Sequence, residues 1–118
     1  MSVEIRIETR DKNLAFDIFN SDKVLRTFTT KEVVDGVSIR FNGFIIREAI
    51  DIPHLISITL FLAKDVALPT AIGLFSAWLY DKLKQRTVEK LYIERTVVKI
   101  DRGEIEKILL EKIKKEKH

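Results

Sequence analysis

His54 is the first residue to test for chemistry, because it is the internal histidine of the chain and imidazole exchanges protons near neutral pH. Asp51 precedes it by three residues and Ser57 follows it by three. A carboxylate that orients an imidazole, and a hydroxyl that the imidazole deprotonates, are the parts of a hydrolase with a serine nucleophile. Sequence spacing meets only one of the geometric conditions for such a site, so we favour a surface histidine near the start of a helix.

Other reaction centres find less support in the residue types. The chain has no cysteine, which excludes disulfides, thiolate nucleophiles, iron–sulfur clusters and cysteine-rich zinc sites. Its acidic residues lack the clustered spacing of a hard-cation loop. Its four glycines are isolated, whereas a phosphate-binding loop needs several close together. We therefore predict that the protein is not an enzyme and uses no metal, cofactor or small-molecule substrate.

Length and composition indicate one folded domain. The 118 residues are 46% apolar and 33% charged, and no linker interrupts them, so we predict a single domain over 1–118. Asn, Gln and Met are scarce while Ile, Lys and Glu are abundant, which is typical of proteins from hot environments. The first nine residues alternate apolar and charged types and do not form a signal peptide, so we expect a cytoplasmic protein.

Residues 2–50 are predicted to be β-rich and to form an antiparallel meander of four to six strands. Val3, Ile5 and Ile7 alternate with charged residues, which is the pattern of a strand with one buried face. The same alternation over 13–19 favours a strand there, although the apolar residues of this stretch also fit helical spacing.

Two dipeptides in this half indicate hairpin turns. Asp35-Gly36 and Asn42-Gly43 each separate short apolar runs, and both tolerate the positive φ angles of tight turns. We therefore place strands on both sides of each dipeptide, and a further strand over 24–29.

The middle of the chain, 54–86, is predicted to be an apolar helical segment with a break. Lys64 and Asp65 are the only charges between residues 55 and 80, and we expect both where the chain reaches the surface. Pro69 prevents one straight helix, so two helices, or the halves of a kinked helix, should meet near it.

This segment is apolar on every side, and a helix of that kind must be buried on every side. A chain of 118 residues has little surface with which to cover it, so we predict a homo-oligomer that self-associates through 55–80. Small residues at helical spacing allow two helices to approach closely. The predicted interface consists of Leu60, Ala63, Ala67, Ala71, Gly73, Leu74, Ala77 and Trp78. Burial in the chain's own core and peripheral contact with a membrane stay open as alternatives.

The C-terminal part, 87–117, is predicted to be a β-hairpin followed by an amphipathic helix. Strands over 88–93 and 96–100 flank a tight turn, and Asp101 with Glu104 has the spacing of a capping box. Apolar residues then follow at helical spacing, namely Ile105, Ile108, Leu109 and Ile113. Together with the meander and the broken apolar helix pair, this hairpin and helix predict an α+β fold.

The C-terminal part is also basic, with a net charge of +4 over 81–118. Its end carries the candidate anion-binding residues Lys112, Lys114, Lys115 and Lys117. The alternative function is therefore binding of nucleic acid, or of an anionic membrane surface, through this helix. Nucleic acid is the weaker partner, because residues 93–118 contain no aromatic side chain that could stack on bases.

A helix of small residues that ends in Ala77, Trp78 and Leu79 is followed by basic residues, two strands over 88–100 and a short closing helix. In this arrangement, which covers about the last 65 residues, the chain resembles the effector-associated constant component proteins, small companions of bacterial conflict-system effectors. The resemblance implies an accessory or scaffold role without catalysis, and it implies no particular site residues.

Overall fold

The computed structural model describes residues 1–20, 24–45 and 53–116, with Glu116 described by its backbone alone. In chain order the elements are β1 (Ser2–Thr9), α1 (Leu14–Ile18), β2 (Thr30–Val34), β3 (Val37–Ile45), β4 (His54–Leu62), α2 (Leu68–Lys84), β5 (Lys90–Ile93), β6 (Thr96–Val98) and α3 (Arg102–Glu116). The α+β class predicted from the sequence is confirmed.

The strands form one antiparallel sheet of six, in the order β2-β3-β4-β1-β5-β6. β1 and β4 lie at its centre and pair along their whole length, from Ser2 opposite Phe61 to Thr9 opposite His54. β2 and β6 form the two edges. The centre of the sheet is therefore a long-range pair, and each edge strand is the outer strand of a local hairpin.

The helices cover one face of this sheet. Alternate residues of the central strands are buried on that face, namely Val3, Ile5, Ile7, Val37, Ile39, Phe41, Ile56, Ile58 and Leu60. The helices bury Ile72, Phe75, Leu79 and Leu83 from α2, and Ile105, Leu109 and Ile113 from α3. The opposite face carries mostly polar, half-exposed side chains, as expected of an antiparallel sheet with one solvated side.

The strand predicted over 13–19 is wrong, because this segment forms α1. Leu14, Ala15 and Ile18 are buried together on one side of this short helix. The apolar residues of this stretch fit both the alternation of a strand and the spacing of a helix, and the contact of α1 with α2 favours the helix. The strand predicted over 24–29 is also wrong, since the backbone there forms a turn and irregular structure.

The first half of the predicted helix pair is wrong too, because His54–Leu62 forms β4. Ile56, Ile58 and Leu60 point to the helices, while the residues between them point to the other face. β4 is an inner strand, and a continuous apolar run does not distinguish such a strand from a buried helix. The β-branched isoleucines at every second position are the signal that favours the strand.

The second half of this segment is helical, as predicted. α2 begins at Leu68 with Pro69 in its first turn, where a proline loses no helical hydrogen bond. Lys64 and Asp65 lie exposed in the loop between β4 and α2, which confirms that the chain surfaces there.

The hairpin predicted at Asp35-Gly36 is confirmed, and Gly36 supplies the positive φ of +81° that the turn between β2 and β3 requires. The hairpin predicted at Asn42-Gly43 is wrong. Both residues lie within β3, where the register with β4 shifts between Phe41 and Gly43. A glycine with φ of +111° serves this β-bulge, so the same dipeptide signal marks a bulge here and not a turn.

The C-terminal prediction is confirmed. β5 and β6 form the hairpin, and α3 follows with its apolar stripe buried. The carboxylate of Asp101 accepts a hydrogen bond of 3.1 Å from the backbone N–H of Glu104, which caps the start of α3. The tight turn of the hairpin places Glu94 at a positive φ of 56°.

Candidate functional site

His54 does not form the hydrolase site that its neighbours in the sequence suggest. It lies at the start of β4, and residues three apart in a strand point to opposite faces, so Ser57 lies on the other side of the sheet. Asp51 lies outside the described residues. The His54 ring packs edge-on against Phe44, with 5.3 Å between ring centroids. In this contact the His54 side chain packs against a neighbouring strand.

The surroundings of His54 lower the pKa of its imidazole. Burial of the ring is the largest cause, and the positive charge of Lys12 adds to it, while Glu89 and Asp11 act in the opposite direction. The unfolded chain therefore binds the proton at a higher pH than the folded chain, so protonation favours unfolding. The contribution of neutral His54 to the free energy of unfolding is fully present above the ordinary histidine pKa of 6.5. It is lost as the pH falls through the lower pKa of the folded state.

We expect His54→Gln to flatten the pH dependence of stability below neutral pH. The measurement is the urea unfolding midpoint of both proteins between about pH 5 and about pH 7.5. The midpoint of the natural sequence should fall more steeply toward acid than that of the variant. Equal slopes would show that the imidazole has the same pKa in the folded and unfolded chain.

Among the residues that the structure describes, no three His, Asp or Glu side chains come close enough together to hold a metal ion. Within those residues, no helix has the length and apolar content needed to cross a bilayer. The remaining candidates are surfaces for binding other molecules.

The structure divides the eight predicted interface residues into three groups. Leu60 and Ala71 are buried, Leu60 completely, because β4 and α2 turn them toward the core. Gly73, Ala77 and Trp78 are half-buried, and Ala63, Ala67 and Leu74 are exposed. Leu60 is thus wrong as an interface residue between folded copies. The part of the predicted interface that reaches solvent is one side of α2 and the loop before it.

Gly73 has a different role from the one predicted. A Cβ atom added there would lie 3.3 Å from Oε1 of Glu106, which belongs to α3. Gly73 therefore allows α2 and α3 of the same chain to approach each other.

The solvent-facing residues of α2 form a regular stripe. Ala67, Thr70, Leu74, Ala77 and Asp81 follow one another at intervals of three and four, which is the spacing of a helix seam. We call these five residues the α2 seam. Leu74, at its middle, is 55% exposed and is the large apolar side chain of the seam.

A pocket of about 340 Å³ adjoins the α2 seam at Leu74. Its apolar walls are Val34, Val66, Ala67, Ala71 and Leu74. The turn between β2 and β3 and the loop before α2 each place one carboxylate in it, Asp35 and Asp65. The pocket is therefore lined by apolar and polar groups in equal measure, and it carries two carboxylates near the start of the helix.

The other end of the α2 seam has mixed charge, because Lys31 and Lys82 lie there together with Asp17 and Asp81. The Lys31 ammonium lies 5.4 Å from the ring centroid of Trp78. At a rise of about 1.5 Å per residue, Trp78 is about 16 Å along the helix from Ala67. Burial lowers the pKa of Lys31, and the nearby Lys82 lowers it further, against the opposing effect of Asp17. Lys31 and Lys82 share Asp17, so two cations face one carboxylate.

A second opening lies between the start of α2 and the last turns of α3. It measures about 720 Å³, and Leu68, Pro69, Leu110 and Ile113 line it together with Lys107, Glu111 and Lys114. We call it the α2–α3 groove. Of the predicted anion-binding lysines, Lys114 lines this groove, Lys115 is exposed nearby, Lys112 is half-buried and Lys117 lies outside the described residues.

An aromatic and arginine stack on the open face of the sheet was missed by sequence reasoning. The Arg40 guanidinium lies between the rings of Phe28 and Phe61, 5.3 Å and 5.1 Å from their centroids. Asn42 holds the same guanidinium, since Nε of Arg40 donates to its Oδ1 at 3.0 Å. Phe28 has a positive φ of 73°, for which the sequence offers no signal.

Comparison of the chain with family models, with curated proteins and with solved structures finds no match. The function must therefore be argued from the surfaces described above.

Proposed function

We propose that this protein is a non-enzymatic assembly module that forms a two-fold dimer through the α2 seam. The observation that carries the proposal is Leu74, which lies in the middle of the seam with more than half of its surface exposed, next to a pocket with apolar walls and two carboxylates. The resemblance to the effector-associated constant component proteins supports a role of the same non-catalytic class.

The proposed interface is smaller than the one predicted from the sequence. That prediction required a second copy to cover the whole of 55–80, but one folded chain buries Leu60 and Phe75 by itself. What needs a partner is the α2 seam and the pocket beside it. Exposed apolar groups of this kind mark protein interaction sites.

An antiparallel pair of α2 helices fits the shape of the seam. With Leu74 near the two-fold axis, each Leu74 enters the pocket of the other copy, between Thr70 and Val34. Ala67 and Ala77, one turn or more away on either side, are small enough to let the two helices approach closely.

The charges favour the same antiparallel arrangement. It brings Asp35 and Asp65 of one copy to the end of the other seam that carries Lys31 and Lys82, where Asp81 is paired with Lys84. A second carboxylate near Lys31 offsets the repulsion from Lys82, whereas a parallel pair would place like charges together.

Pairing of the two β2 edges is a less suitable way to form the dimer. The register of β2 against β3 shifts between Glu32 and Val34, and Lys31 lies on the same edge strand. Bulges and lysines are the usual means by which edge strands avoid pairing with other chains. The structure therefore supports helix contact as the mode of association.

The test is the mass of the protein in solution after Leu74→Glu. We expect the natural sequence to sediment as a dimer, at twice the chain mass of 13.7 kDa. The variant should raise the dissociation constant at least 30-fold, because a central interface residue contributes about 2 kcal/mol and the new carboxylate faces an acidic pocket. Sedimentation velocity over a range of protein concentrations measures both values.

Val97→Glu is the matched control. Val97 is 59% exposed on the edge strand β6, so the substitution changes the same amount of exposed apolar surface and the same charge. The control should leave the dissociation constant unchanged. A natural sequence that stays monomeric at the highest concentration, or equal effects of both substitutions, would contradict the proposal.

The composition predicts a hot habitat, and the alternating pattern of the first nine residues predicts a cytoplasmic location. Both stay predictions, and they concern the origin of the protein and not its mode of association.

A further inference from the structure

The α2–α3 groove combines an apolar floor with a basic rim. Leu68 and Leu110 are half-buried and Pro69 is exposed, so its apolar groups are open to solvent. Lys107 and Lys114 lie on the α3 side, and Glu111 is the carboxylate between them. A binding surface of this kind matches a partner that is both apolar and anionic.

The charge around the groove is positive beyond these lysines. In the part of α3 beside the groove the exposed cations are Lys107, Lys114 and Lys115, against the exposed carboxylate of Glu111. The start of α2 adds to this potential, because Ala67 provides no side-chain cap and the free N–H groups form the positive end of the helix dipole.

The apolar surface continues past the end of the groove. A smaller pocket of about 210 Å³ shares Leu68 with it and is lined by Met1, Leu62, Ala63 and Lys64. Met1 is exposed, and Lys64 adds another cation at this end of the molecule. Apolar groups and lysines therefore lie together on the α3 side of the start of α2, while Asp35 and Asp65 lie on the side of the pocket beside the α2 seam.

We propose that this end of the molecule docks on a membrane surface that contains anionic phospholipids. The lysines contact the lipid phosphates, while Leu68, Pro69 and Leu110 contact the boundary of the acyl chains. The phosphates of nucleic acid would pair with the lysines but would leave the apolar floor of the groove without a partner. The lining of the groove also includes no aromatic side chain on which bases could stack. The α2–α3 groove shares no lining residue with the α2 seam or with the pocket beside that seam.

The test is flotation of the natural sequence and Lys107→Glu/Lys114→Glu with two kinds of vesicle, pure phosphatidylcholine and phosphatidylcholine with phosphatidylglycerol. We expect the natural sequence to float with the anionic vesicles only, and its binding to weaken with added salt. The double variant should bind them at least tenfold more weakly. Leu110→Ser should weaken binding in a manner that salt does not change, because it removes apolar contact alone.

Lys90→Glu/Lys99→Glu is the control of equal charge. Both lysines are exposed, and they lie beside β5 and β6 near the level of Glu8, at the opposite end of the sheet from Met1. This control should float like the natural sequence, and circular dichroism verifies that each variant is folded.

Three results would overturn the proposal. Equal loss of binding in both double variants would indicate a general effect of net charge. Equal binding to both kinds of vesicle would remove the role of the lysines. Binding to double-stranded DNA, with no flotation on anionic vesicles, would assign the surface to nucleic acid.

Discussion

Phe75→Ala is expected to lower the free energy of unfolding by about 3–5 kcal/mol, the range for truncating a buried aromatic side chain. Phe75 lies on the inner side of α2 with 1% of its surface exposed, and its ring packs against Trp78 with 5.7 Å between centroids. Truncation removes this contact and leaves a cavity between α2 and the sheet, which the surrounding strands can close only in part. A domain with a total stability of about 5–15 kcal/mol would lose a large share of it.

Leu74→Ala is the matched control, because Leu74 is the neighbouring residue of the same helix and is turned about 100° away from Phe75, toward solvent. Its truncation should cost less than about 1 kcal/mol in the monomer, since the side chain is already half in water. Urea unfolding at a protein concentration below dimerisation measures both variants. Similar losses at the two positions would contradict the assignment of one side of α2 to the core and the other to an interface.

The local signals of the sequence predict the two ends of the fold well. Val3, Ile5 and Ile7 alternate in β1 as expected, and Asp101 caps α3 as expected. For β1 and for the start of α3, the local sequence signals indicate one structure only, so the prediction did not depend on tertiary contacts.

The middle of the chain was not predictable in the same way. β4 is an inner strand of the sheet, and its outer face carries Leu55 and Phe61 as well as Ser57 and Thr59, so its mainly apolar sequence resembles that of a buried helix. The prediction of a helix over 55–62 led to the prediction of an interface over the whole of 55–80. A helix that is apolar on every side needs a partner to cover it, whereas a central strand is covered within its own chain. The prediction of self-association therefore reduces to the α2 seam, where Leu74 is exposed.

The candidate surfaces were predictable only in part. Leu74, Ala67 and Lys114 were named from the sequence and lie on surfaces that the structure leaves open. The pocket beside Leu74 requires Val34, about 40 residues earlier in the chain, and the α2–α3 groove requires Leu68 next to Leu110. Such pairings depend on how the elements pack, and a single sequence does not contain them.

Gly36→Ala is expected to lower the free energy of unfolding by about 2–4 kcal/mol, from two separate causes. The positive φ of +81° costs an alanine about 1 kcal/mol, because its Cβ approaches the backbone in this conformation. The new Cβ would also lie 2.9 Å from Cγ2 of Val66, and overpacking of this kind costs about 1–3 kcal/mol. The carbonyl of Gly36 accepts a hydrogen bond from the N–H of Ala63 at 2.9 Å, so the turn cannot move away freely.

A double-mutant cycle with Val66→Ala separates the two causes. Val66 is only half-buried, so its truncation alone should cost little, while in Gly36→Ala/Val66→Ala it removes the Cγ2 atom that the new Cβ meets. We expect the double variant to recover at least about 1 kcal/mol relative to the sum of the single losses, and to keep the loss from the positive φ. Additive losses in urea unfolding would show that the turn between β2 and β3 does not lie against Val66, and the pocket beside the α2 seam would then lack that wall.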